Sequence, residues 1–250
     1  IKPHDYLVEV LRDLGYRGGR YVNMFSDSEA SKLHTRCPWL KIFKIPLALK
    51  NFGNATNIRP NRSVVRFLAF GLINYGKHLD ILIDAANILY ERGYENFKVI
   101  IKGKCANWEA YQTHIIYPNI IESDIRRIDN KEIPNLFNGC HYLVQPYRVV
   151  SQSGPMKIAF RYNLPDIVSD LPGLVAELKT GVNGYIFHSE NLSSLVKVME
   201  LCINQTDEEY AALQKRMKEY IKENYSNNVL QKKYCMMFEQ VIKKYSRNEI

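Results

Sequence analysis

From residue 64 onward, short and almost unbroken apolar runs alternate with segments whose apolar residues recur at helical spacing. Repeated β-α units over a parallel sheet produce this alternation, because a strand covered on both faces has no polar side to display. Residues 64–70 (VVRFLAF) are such a run, ended by Gly71. Leu79, Leu82, Ile83, Ala86 and Leu89 then predict a helix that Gly93 stops, and residues 97–101 predict the next strand, closed by Gly103. The pattern continues with a short helix over 108–115, a short strand near 118–122, a helix over 132–140 and a strand over 141–145. A helical segment over 152–162 carries Pro155 in its first turn, where proline is tolerated, and residues 166–169 predict another strand.

The last part of the chain reads as three helices. Their stripes are Leu192, Leu195, Val196, Met199 and Ile203; then Tyr210, Leu213, Met217 and Tyr220; then Leu230, Tyr234, Met237, Phe238 and Val241. Stripes of this kind face a core and need no cofactor to explain them. Ahead of residue 60 the pattern changes to a helix over 6–14 and strand-like runs at 21–25 and 42–45. Residues 51–61, with Gly53, Pro60 and four asparagines, read as a linker.

Composition narrows the class without naming a function. Of 250 residues, 46% are hydrophobic and 24% charged, which suits a globular core and excludes a disordered or collagen-like chain. Thirty-four Lys and Arg against 26 Asp and Glu leave a formal charge of +8, enough to attract phosphates or an anionic membrane. The basic residues are spread along the chain without interleaved aromatics, so nucleic acid is not expected as a partner. Five single cysteines, Cys37, Cys105, Cys140, Cys202 and Cys235, form no CxxC pair and are expected as reduced thiols of a cytoplasmic protein. No apolar stretch reaches the roughly 20 residues a membrane span needs. The chain opens on Ile1 rather than methionine, as expected of a fragment or processed product.

Three loops carry candidate chemistry, because an open parallel sheet binds ligands at the carboxyl ends of its strands. In the first, residues 70–77 (FGLINYGK) bring Gly71, Asn74 and Lys77 to the start of a helix, where backbone amides and the helix dipole favour an anion. In the second, Tyr147, Ser151, Gln152, Ser153 and Gly154 lie between a strand and a helix, with hydroxyls and an amide suited to a phosphate or a sugar. A serine N-cap followed by a turn glycine explains the same residues with no ligand. The third, from Asp170 to Glu177 and on through Gly181 and Gly184, holds glycines that tight turns alone account for.

In order and spacing the three loops together resemble the C-terminal domain of glycosyltransferase family 4, the "group 1" family. The likeness rests on Phe70-Gly71, Lys77 and Leu79-Asp80-Ile81-Leu82-Ile83-Asp84-Ala85. It continues in Pro146-Tyr147 with Ser151-Gln152-Ser153-Gly154, and in Gly173-Leu174 with Gly181-Val182-Asn183-Gly184. The resemblance implies an α/β, Rossmann-like parallel sheet flanked by helices over residues 63–224. Residues 1–62 would be the remnant of an acceptor-side lobe with its linker, and 225–250 a C-terminal helix that crosses back. It also implies a metal-independent glycosyltransferase without a cofactor, whose partners are a nucleoside-diphosphate sugar and a glycan or lipid-linked acceptor. The setting would be surface polysaccharide synthesis at the inner face of a membrane, which the basic charge suits. Lys77 and the amides near Gly154 would hold the diphosphate, and the base would lie against the loop after Gly103 and near Ile128. In the first lobe, His4-Asp5 and Ser26 resemble family positions.

Several residues depart from the family pattern. Asn74 stands where an arginine is common, Ser151 and Ala159 where two glutamates are, and Ala176 where another glutamate is, with Glu177 beside it as a substitute. A degenerate, non-catalytic nucleotide- or partner-binding module of the same fold is therefore the alternative. An epimerase or phosphorylase of that fold has no additional carboxylate or cofactor lysine to support it.

Overall fold

The computed structural model describes residues 16–17, 19–25 and 27–245. The chain divides into two compact units, one of residues 49–222 and one formed by the residues up to Ala48 together with those from Glu223 onward. Residues 49–62, expected with the first lobe, cluster with the larger unit.

In the smaller unit, β1 (Tyr21–Met24) and β2 (Lys41–Lys44) pair in parallel around α1 (Asp27–Arg36). Leu33, Cys37 and Leu40 are buried there against Tyr16, Val22, Met24 and Ile42. The Asn23 side chain acts as a backbone mimic beyond the strand end, accepting from Ile45 N at 2.9 Å and donating to its carbonyl at 3.1 Å. The helix expected over 6–14, His4-Asp5 and Ser26 lie outside the described residues.

The larger unit holds a six-stranded parallel sheet in the order β5-β4-β3-β6-β7-β8. Its strands are β3 (Val65–Phe70), β4 (Phe97–Lys102), β5 (Ile121–Asp124), β6 (Tyr142–Gln145), β7 (Asp166–Ser169) and β8 (Gly184–Phe187). The helices are α2 (Leu79–Glu91), α3 (Glu109–Gln112), α4 (Ile133–Asn138), α5 (Gly154–Arg161), α6 (Pro172–Val175) and α7 (Leu192–Asn204). Next come α8 (Asp207–Tyr225) and α9 (Asn227–Tyr245), which carry the chain into the smaller unit. Every residue of β6 and β7 is buried, the polar Gln145, Asp166 and Ser169 among them, as strands covered on both faces require.

One face of the sheet is sealed by α2, α7 and the start of α8, through Leu82, Ile83, Ala86, Leu195, Met199 and Leu213. The other is sealed by α4 and α5, through Ile133, Phe137, Ile158 and Ala159, with Phe52 and Ile128 packed on them. From β3 the chain winds outward through β4 to β5, then returns to the far side of β3 and winds the opposite way through β6, β7 and β8. The order thus reverses between β3 and β6, and an open α/β sheet forms its ligand crevice at such a reversal.

Residues 51–61 contain neither helix nor strand, yet they are bonded down as a strap. Phe52 N donates to the Tyr162 hydroxyl at 3.2 Å, Thr56 N to Asn135 Oδ1 at 2.7 Å and Arg59 Nη2 to the Tyr162 carbonyl at 2.8 Å. At its end the buried Arg62 guanidinium donates to the carbonyls of Cys202 at 2.6 Å and Gln205 at 3.2 Å, and lies 4.6 Å from the Tyr210 ring centroid. It therefore meets the negative pole of α7 with a fixed cation. No helix of the described residues is long and apolar enough to cross a membrane.

Replacing Arg62 by Ala strips those carbonyls of their donor inside the protein and is expected to cost about 2–4 kcal/mol in urea unfolding. Lysine is expected to restore only part of the loss, since a single ammonium cannot both fork to two carbonyls and lie flat on an aromatic ring. Full recovery by Lys would show that charge alone, without the planar fork, holds this corner.

Candidate functional site

The loops that leave β3 and β6 meet over the reversal. Gly71 N donates to the Lys102 carbonyl at 3.0 Å and Ile73 N to that of Lys104 at 2.8 Å, so the first loop lies along the loop that follows β4. The approach is close enough to exclude a side chain at Gly103: a Cβ there would stand 1.8 Å from the Gly71 carbonyl oxygen, and its φ of +153° suits glycine besides. Residues 75–77 then form one 3-10 turn, with Lys77 N bonded to the Asn74 carbonyl at 2.9 Å, and His78 turns left-handed at φ 49° to open α2. The Asn74 side chain makes no capping bond to that turn and stands exposed.

From the second loop, Arg148 N donates to the Gly76 carbonyl at 3.0 Å. The Arg148 guanidinium reaches the Tyr75 carbonyl and Asp80 Oδ2, both at 3.1 Å, and lies 4.4 Å from the Tyr75 ring centroid. Across the same junction the Lys77 ammonium sits 3.5 Å from the centroid of the Tyr147 ring. Burial pulls the Lys77 pKa down to about 8, because the ammonium has lost water and gained an aromatic face in place of a carboxylate. A Cβ on Gly71 would lie 3.9 Å from the Pro155 ring, so the first turn of α5 borders this junction.

The predicted residues therefore divide into two groups. Gly71, Asn74, Lys77, Gly103, Ser151, Gln152 and Gly154 sit on the three loops at the carboxyl ends of β3, β4 and β6, and Ile128 packs beside Phe70 on the α4–α5 face. Tyr147, Ser153 and Glu177 are buried and meet neighbours within the fold. Tyr147 is 3% exposed and offers Lys77 its ring, with no polar edge presented to a ligand. Ser153 caps α5, accepting from Met156 N at 3.1 Å while donating to Gln145 Oε1. The Glu177 carboxylate is buried in an ion pair with Lys157, a side chain with no exposed surface, and does not replace a loop-surface glutamate.

A family model for the group 1 glycosyl transferases matches residues 57–224, more than half of the chain. The chain belongs to that family. Solved structures of this fold agree in architecture. A glycosyltransferase from Rickettsia africae matches with a TM-score of 0.75 at 15% identity, covering 90% of this chain and 64% of that one. TarM of S. aureus matches at 0.72 and 16%, covering 87% and 43%. The pneumococcal O-GlcNAc transferase GtfA matches at 0.69 and 16%, covering 88% and 45%. This chain thus spans less than half the length of TarM and GtfA. No curated protein matches it in sequence.

In this member of the group 1 family two features of the site escaped the sequence. A cavity of about 400 Å³ opens between the first loop and the loop after β4, lined by Asn74, Tyr75, Asp80, Asn107, Tyr111 and Arg148. Arg148 and Asp80 had no visible signal, since their ion pair depends on the two loops meeting. Lys50, the residue that leads into the strap, is the other: a Cβ added to Gly154 would lie 3.2 Å from its ammonium. A single lysine in an asparagine-rich segment carries no periodicity that marks it.

A methyl group at Gly103 has no room and no suitable φ, so Gly103→Ala is expected to lose roughly 3 kcal/mol or more in chemical unfolding. Gly93→Ala, whose Cβ meets nothing within 4 Å at a φ of +88°, carries backbone strain alone and is expected to lose less. Equal losses would mean that the contact between the two loops is not tight.

Proposed function

We propose that this chain binds a nucleoside-diphosphate sugar in the crevice between β3 and β6 and passes the sugar to a glycan or lipid-linked acceptor. The observation that carries the reading is the Lys77 ammonium. It is desolvated at the mouth of a helix on the first loop and backed by an aromatic ring, and the first turn of α5 borders the same loop at Gly71. A pyrophosphate placed there meets fixed positive polarity from both sides without reorganisation. As the bond to the sugar breaks, negative charge builds on the leaving diphosphate, and groups already aimed at it lower the barrier. A metal-independent course is part of the proposal. It is supported by these fixed cationic and dipolar groups, which can carry the diphosphate's charge.

The base would lie between the loop at Gly103 and Ile128, where a partly buried apolar surface adjoins backbone amides. The formal charge of +8 supports peripheral contact with an anionic membrane bearing the acceptor, and a role in surface glycan synthesis. A binding module without turnover is the second reading. It is favoured by Ala159, which is wholly buried and neutral where the family pattern has a carboxylate.

Calorimetric titration with UDP, GDP and ADP is expected to reveal binding of at least one, and Lys77→Ala to weaken it by about 10- to 100-fold, the worth of one charge-assisted contact. Absence of binding by the unaltered chain removes the donor-site reading. Binding without donor hydrolysis or transfer selects the module without turnover.

The lowered pKa of Lys77 gives a pH dependence whose sign is fixed. The free ammonium is charged below about pH 8 and an anion stabilises that form. Affinity is therefore full below pH 8 and falls above it, by up to about tenfold per unit, with a proton taken up on binding near pH 8. Titrations in buffers of different ionisation enthalpy measure that proton directly; zero uptake at pH 8 would take Lys77 out of the anion contact.

A further inference from the structure

We infer that Lys50 is a second cation of the diphosphate subsite, brought to it by the strap; the inference rests on the donor-site reading above. Gly154 opens α5, and the space its side chain would fill is occupied by Lys50, whose Nζ and Cε stand 3.2 and 3.8 Å from the added Cβ, with no other heavy atom within 4 Å. The position is held by the chain that follows. Phe52 N and the Gly53 carbonyl bracket the Tyr162 hydroxyl at 3.2 and 3.0 Å, and Asn135 Oδ1 accepts from Thr56 N. Tyr162 directly follows α5 and Asn135 lies on α4, so the strap is hydrogen-bonded to both helices.

The electrostatics of this arrangement are unfavourable as they stand. The amino end of a helix is its positive pole, and an ammonium placed against it is repelled. The first turn of α5 holds no acidic residue to offset this, and Lys50 forms no ion pair among the described residues. The Lys77 ammonium, at the neighbouring loop, likewise faces an aromatic ring rather than a carboxylate. Two lysines and a helix pole with no counter-charge among them define the place of a polyanion, and a pyrophosphate matches in charge what the three lack. Lys77 approaches from the β3 side and Lys50 from the α5 side. A diphosphate between them would touch the first loop with one phosphate and the strap with the other.

The test titrates UDP, GDP, ADP, inorganic pyrophosphate and the parent nucleosides into the chain and into Lys50→Met, Lys50→Arg and Lys197→Met, at low and at raised salt. Lys197 is an exposed lysine of α7 and serves as the control. Lys50→Met is expected to weaken the nucleoside diphosphate and pyrophosphate about 10-fold and to flatten the salt dependence, while nucleoside binding is unchanged. Arginine is expected to restore affinity to within about threefold, and the control to match the unaltered chain. With no ligand, Lys50→Met is expected to melt no lower than the unaltered chain, since it removes a repelled charge. Nucleoside diphosphate binding by Lys50→Met within twofold of the unaltered chain, at the same salt dependence, overturns the role of Lys50 and leaves the donor site standing. If the unaltered chain binds no nucleoside diphosphate, the donor site fails and this inference fails with it.

Discussion

The reversal of strand order between β3 and β6 is the constraint on which this molecule's chemistry depends. The two strands pair side by side, Phe67 with Tyr142 and Leu68 with Leu143, yet the helices that follow them seal opposite faces of the sheet. The connecting loops are thereby drawn apart above their shared edge, and neither helix covers the gap. The junction is framed by backbone geometry: the glycine-only approach of the loop after β4, the single 3-10 turn that ends at Lys77, and the bond from Arg148 N to the Gly76 carbonyl. The crevice exists because of topology, and its polarity because of what the loops leave unpaired.

That polarity is one-sided. Arg148 is neutralised by Asp80, Arg126 by Glu132 and Arg66 by Glu122, so most cations near the strand ends are satisfied within the fold. Lys77 has no such carboxylate partner, and its low pKa records the cost of leaving an ammonium half out of water. Contact with the face of Tyr147 offsets part of the desolvation and keeps the charge directed, while a carboxylate in the same place would have cancelled it.

The elements that were legible in the sequence are those whose burial is simple. Strands β3, β4, β6 and β7 are covered on both faces and stood out as apolar runs; α2 and α7 showed their stripes because each faces a single core. Helix α1 was not anticipated because only Ala30 and Leu33 of its ten residues are buried hydrophobics. Strand β8 was taken for turns because it begins at Gly184, whose glycine reflects a contact and not a bend: a Cβ there would stand 1.9 Å from the Asp166 carbonyl. In the candidate site the loops were legible, since Gly71, Lys77 and Gly154 occupy positions fixed by strand ends. The direction of each side chain was not. Ser153 and Glu177 carry suitable chemistry in suitable loops and point inward, a distinction that depends on Gln145 and Lys157 as neighbours in space.

Those inward residues have a use that contact with a ligand does not exhaust. Gln145 accepts from Ser153 and donates to Asp166 Oδ1 at 3.2 Å, joining the ends of β6 and β7 to the cap of α5. Burial raises the Asp166 carboxyl well above its usual range, with Gln145 and Lys157 opposing the shift. A few ångströms of polar structure thus lie beneath the second loop, and the backbone above has little freedom: Ser151 is pinned where a Cβ on Gly173 would touch its carbonyl oxygen at 2.5 Å. Buried polar networks contribute little net stability but favour one arrangement over its competitors, although Asp166 Oδ2 here has no hydrogen-bond partner among the described residues. Here the arrangement specified is the orientation of the first turn of α5, the element whose positive pole faces the crevice. A loop built only on apolar packing would tolerate small rotations of that turn, and each would misdirect the amides at Gly154. The polar layer under the site is therefore best understood as the support that lets a short, exposed loop hold a fixed electrostatic direction.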